Sequence, residues 1–122
     1  MIINIKHDND VIILKLNGRL SVGSDLALRN AIQHAMNKNS SNIIFNLRDI
    51  SAIDSAGIGE LVSAYSTLSS KVGNIKLCHL PERIHEVLQL TKLISVFDIY
   101  ESEKDAIDSV DRTNKVKKEK SS

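Results

Sequence analysis

Short runs of branched aliphatic residues alternate along this chain with longer stretches whose apolar positions recur every three or four residues. That alternation restricts the fold more than any other feature, because a run of five or six β-branched residues is too short for a helix and a three-to-four spacing does not fit a strand. Residues 1–6 and 11–18 read as two strands joined by the polar His7-Asp8-Asn9-Asp10, a connection of hairpin length. Ser24 or Asp25 can cap a helix whose apolar positions are Leu26, Ala27, Ile32, Ala35 and Met36, ending among Asn37, Lys38 and Asn39. Residues 42–47 read as an interior strand. After a linker over 48–54, Ile58, Leu61, Val62, Tyr65 and Leu68 form the stripe of a helix that stops near Val72-Gly73-Asn74. Residues 75–80 predict a strand. Pro81 opens a helix that buries Ile84, Val87 and Leu88. A last strand over 95–100 and a short helix over 103–110, with acids in its first turn, complete the order ββαβαβαβα. The class is α/β.

The chain has 122 residues, enough for one domain and too few for two. A domain of this length hides roughly 65% of the surface its unfolded form exposes, so it needs no covalent staples. The lone Cys78 excludes an internal disulfide framework and multi-cysteine zinc sites. Four aromatics (Phe45, Tyr65, Phe97, Tyr100) and no Trp leave no stacking platform for single-stranded nucleic acid. Sixteen basic residues face fifteen acidic ones, but residues 111–122 hold five against two, within a nearly apolar-free stretch. This predicts a domain over 1–110 and a basic, unordered tail over 111–122. The near balance of charge gives no reason to expect direct contact with nucleic acid or a membrane surface, no apolar run approaches the ~20 residues of a membrane span, and a reducing, cytoplasmic setting is expected.

Catalytic motifs are largely missing. Ser55 lies between Ile53 and Gly57, only half of a nucleophile elbow, and Gly18 with Gly23 lacks the spacing and the lysine of a phosphate loop. The four histidines are scattered, and Cys78 beside His79 would face opposite sides of a strand. One segment needs a reason: Asp54-Ser55-Ala56-Gly57-Ile58-Gly59, at the start of a helix. Two glycines in a first turn each cost up to ~1 kcal/mol against alanine. Stripping the turn of side chains uncovers Ser55 and backbone N–H groups that can receive an anion. It is also compatible with an ordinary cap, in which Asp54 or Ser55 bonds an N–H of the first turn.

This segment, following the strand at 43–47 and the apolar Ile50 and Ile53, resembles the phosphorylation loop of STAS-domain anti-sigma factor antagonists. Leu16-Asn17-Gly18-Arg19-Leu20 resembles that family's second strand. Leu80-Pro81-Glu82 through Leu90-Thr91-Lys92-Leu93, with Phe97-Asp98-Ile99-Tyr100, resembles its third helix and final strand. The likeness covers residues 1 to about 110. It implies a mixed sheet of four to five strands with about four helices, and a binding module rather than an enzyme. It also implies a partner that is both anti-sigma factor and serine kinase and that supplies the ATP, with a metal-dependent serine phosphatase reversing the modification. The chain itself would carry no cofactor and no metal. Carried over by position, Ser55 is the phosphoacceptor, and Asp54, Ser55, Ala56, Gly57, Ile58, Gly59 and Ser21 form the partner face. Two departures stand out: Ser21 replaces an aspartate common in relatives, and Ala56 replaces the second serine of some members. An alternative within the same fold is an accessory subunit of a transporter or of a lipid-trafficking ABC ATPase. A two-component receiver is disfavoured, since the third strand ends Asn46-Leu47-Arg48, without the aspartate that fold requires.

Overall fold

Strand β1 (Ile2–Asp8) and strand β2 (Val11–Leu20) open the fold as an antiparallel hairpin in the computed structural model, which describes residues 1–8, 10–21, 25–37, 42–69 and 74–110. Asp8 pairs with Val11, so the connection is two residues rather than the four expected from its polarity. Helix α1 (Asp25–Asn37), β3 (Asn42–Ile53), α2 (Ser55–Ser69), β4 (Asn74–Cys78) and α3 (Glu82–Leu90) follow. A 3₁₀ turn (Leu93–Ser95), β5 (Asp98–Tyr100) and α4 (103–110) complete the chain described. The predicted tail over 111–122 and the Ser24 cap lie outside the described residues.

The five strands stand in sequence order, β1-β2-β3-β4-β5, with β1 antiparallel and β2 to β5 parallel. Right-handed crossovers between successive neighbours carry their helices to one face of the sheet. The main core accordingly joins Leu28, Ala31, Ile32 and Ala35 of α1, Leu61 and Ala64 of α2, and Ile84 and Leu88 of α3 to the strand residues Leu14, Leu16, Phe45, Leu47 and Leu77. The opposite face is closed by α4, whose Ala106 and Val110 cover Val11, Ile13, Ile44 and Cys78. Covered on both sides, β2 and β3 need the near-continuous aliphatic runs that their sequences show.

Two differences from the sequence reading shape the rest of the molecule. The α1 stripe keeps Ile32 and Ala35 of the proposed face and adds Leu28 and Ala31, which that reading lacked; Ala27 is only half-buried, and the side chains of Leu26 and Met36 lie outside the described residues. The predicted linker over 48–54 is instead, up to Ile53, the second half of a twelve-residue strand, and only Asp54 stands outside it. There β2 and β3 stay paired through two register shifts, between Lys15 and Asn17 and between Gly18 and Arg19, until Leu20 lies opposite Ile53. Gly18 takes φ +119°, a conformation open to glycine, at the second of these irregularities. The polar Arg48 and Asp49 hid the strand, because they lie beyond the end of β4, where β3 has no neighbour on that side.

Candidate functional site

The paired ends of β2 and β3 deliver the chain to the start of α2. The Asp54 amide donates to the Leu20 carbonyl at 3.3 Å, locking the turn to the end of β2. Asp54 is the cap: its Oδ1 accepts the Gly57 amide at 2.9 Å, and its carbonyl accepts the Ile58 amide at 2.9 Å as the first bond of the helix. Of the two caps the sequence allowed, the aspartate takes the position, and Ser55 becomes the first helical residue.

The two glycines prove to have different physical reasons. A Cβ on Gly57 would lie 1.8 Å from the Leu20 carbonyl oxygen, so the helix rests backbone to backbone on the end of β2, and Gly57 is buried by that contact. A Cβ on Gly59 would meet nothing within 4 Å, which leaves that position open to solvent. The glycine at 57 thus serves close packing rather than the uncovering of amides expected of it.

Asp54 and Ser55 are exposed, Ala56 and Ile58 half-buried, and Gly59 exposed. The Ser55 hydroxyl makes no hydrogen bond among the described residues, unlike the Asp54 carboxylate beside it. Ser21, half-buried, directly follows the Leu20 that receives the Asp54 amide, so the topology brings it beside the turn. Apart from the Asp54 cap, the first turn of α2 carries no acidic side chain to compensate the positive end of its dipole. Beyond Gly59 the same surface leads along α2 into a groove of about 320 Å³ against α1, lined by Leu28, Arg29, Ile32, Glu60 and Ser63 among others.

The remaining chemistry-bearing residues sort by environment. The Cys78 thiol is pushed up to about 12 by burial and by the charge of Glu103, so it remains protonated at neutral pH. The histidines are less scattered than the sequence implied. His7 on β1 and His34 on α1 bring their Nε2 atoms to 3.4 Å, while His79 and His85 line one crevice. Only the topology creates these pairings, and no local spacing signalled them. No group of three or more metal-ligating side chains occurs among the described residues, and none of their helices is long and apolar enough to cross a membrane.

Comparison with known proteins agrees with this architecture. The STAS domain family matches residues 3–106. The anti-sigma F factor antagonist of Paenibacillus polymyxa is 24% identical over 106 residues, which span 86% of this chain and 91% of that one. The crystal structure of a Thermotoga maritima protein assigned as an anti-sigma factor antagonist superposes with a TM-score of 0.79 at 28% identity, covering 88% of this chain and 93% of that one. The Bacillus cell fate determinant SpoIIAA, solved in its phosphorylated form, shares the fold with a TM-score of 0.68 at 22% identity, over 89% and 99% of the two chains.

Proposed function

The chain belongs to the STAS domain family of anti-sigma factor antagonists, and from that premise we propose that it binds an anti-sigma factor which is also a serine kinase, and that phosphorylation of Ser55 ends the interaction. The observation that carries this reading is an exposed, unengaged serine hydroxyl at the first position of a helix whose backbone is fixed against the sheet. A domain of this fold solved in a phosphorylated form, SpoIIAA, supports it.

In this reading the Ser55 oxygen attacks the terminal phosphorus of ATP held by the partner, ADP leaves, and the hydroxyl proton passes to a base that the partner supplies. Asp54 is poorly placed to be that base, since one of its oxygens already caps the helix. The phosphate adds roughly 1.5 to 2 negative charges at neutral pH and sits at the positive end of the α2 dipole, which returns ~0.3 to 1 kcal/mol. The domain therefore accommodates the group without rearranging. A facing negative charge on the partner ~4 Å away, at an effective dielectric of ~20, is opposed by ~4 kcal/mol per unit charge, and half of that weakens binding ~30-fold.

The partner footprint in this proposal is Ser21 with residues 54–59, a soluble cytoplasmic encounter in which the partner alone holds ATP and a metal-dependent phosphatase restores the serine. Incubation with the cognate kinase and ATP, followed by intact-mass and peptide mapping, tests it. One phosphate at Ser55, absent from Ser55→Ala, is the expected result. An unmodified protein that instead co-purifies with an ABC-type ATPase replaces this reading with the transporter-subunit alternative.

A further inference from the structure

A second concavity opens on the other side of β3, midway along that strand, where the shorter strands β4 and β5 end and α3 begins. It measures about 520 Å³, within the size range of small-molecule sites. Here the rim gathers Arg48 from β3, His79 immediately after β4, and His85 from the first turns of α3. Both imidazoles are half-buried, and neither ring has a hydrogen-bond partner among the described residues. Arg48 makes no ion pair among them either, although Glu101 lines the same crevice. The wall between these groups is apolar, formed by Leu80 and Ile99. Tyr100 contributes its ring, because its hydroxyl is already engaged with Ser109 at 2.6 Å and Lys76 at 3.3 Å.

We propose that this crevice is a binding site for a small organic oxyanion, a phosphate or carboxylate group carried on a compact apolar body. Arg48 holds the oxyanion through paired N–H donors, His79 and His85 add ring N–H donors, and the body lies on Leu80, Ile99 and the Tyr100 ring. The exposed, unpaired guanidinium and the two unengaged, half-buried imidazoles make a donor-rich pocket that favours an acceptor-only group. Glu101 is the sole carboxylate lining it among the described residues, and it opposes such a ligand. The site is independent of the Ser55 switch: it uses none of residues 54–59, and it lies beyond the free edge of β3 that Arg48 begins.

Titration of the full chain with phenyl phosphate and, separately, benzoate, followed by amide and imidazole NMR spectra, tests the proposal. Saturable shifts confined to Arg48, His79, His85 and their neighbours are expected, and the tighter of the two probes identifies the oxyanion. Arg48→Ala should weaken binding about tenfold or more, as loss of charge-assisted hydrogen bonds does, and Glu101→Gln should strengthen it. The spectra of each variant report whether the fold persists. The proposal is overturned by no saturable shift with either probe, by shifts centred on the start of α2, or by binding that Arg48→Ala leaves unchanged. Weaker binding in Glu101→Gln would overturn the oxyanion as well, because it would mean that the carboxylate grips a cationic group on the ligand.

Discussion

At the scale of single residues, the start of α2 separates two glycines that look alike in sequence. Gly57 has no room for a methyl group, since the Leu20 carbonyl would lie 1.8 Å away. Gly57→Ala should therefore destabilise the domain by roughly 1–3 kcal/mol, the usual penalty for overpacking. Gly59→Ala, facing open space inside a helix, should stabilise it by ~0.5–1 kcal/mol through helix propensity. Urea denaturation of the two variants checks both signs, and a loss of stability in Gly59→Ala would contradict the open environment described. The pair also marks what was readable. The sequence showed that something must offset two poor helix formers, and the resemblance placed Ser55. Yet the reason for Gly57 lies in Leu20, which is 37 positions earlier in the chain and meets it only through the β2–β3 register.

At the scale of elements, alternating periodicity was enough to order the strands and helices, because most strands hold a short branched run and most helices carry an apolar stripe. Ends were harder to place. Strand β3 continues past its apolar run since β2 still pairs with it, a tertiary cause that Arg48 and Asp49 conceal. Strand β5 is shorter than the branched stretch at 95–100, because Lys92 turns at φ +64° into a 3₁₀ segment and only Asp98–Tyr100 reach β4. What secures this brief edge is a polar contact. Lys76 of β4, itself buried, donates to Asp98 at 2.7 Å and to the Tyr100 hydroxyl at 3.3 Å. Burial alone would lower the Lys76 pKa, but Asp98 and Tyr100 outweigh it and hold the ammonium above its ordinary value. The folded state thus binds this proton more tightly than the unfolded chain does. The contribution is complete below the unfolded value of ~10.4 and is lost as pH rises through the higher folded one. Comparing urea midpoints of wild type and Lys76→Met from neutral pH into the alkaline range should show their difference shrinking above that value. A difference independent of pH would remove the ion pair from the account.

At the scale of the whole molecule, the parallel strands collect the chemistry at their carboxyl ends, with the Ser55 turn after β3 and the Arg48–His79–His85 crevice around β4. A Ser55→Asp variant should fold with unchanged stability, because its charge meets the start of α2, and should lose about an order of magnitude or more in affinity for the kinase partner. Calorimetric titration measures that loss, and full-strength binding would defeat the electrostatic account. The contact between Gly57 and Leu20 has a further consequence. With the helix seated on the strand end, a phosphate added as proposed would meet a turn with no slack to absorb its charge, so the domain would act as a rigid signboard and adaptation would fall to the reader. Position 59, bare and unobstructed, can take a side chain without disturbing that seat.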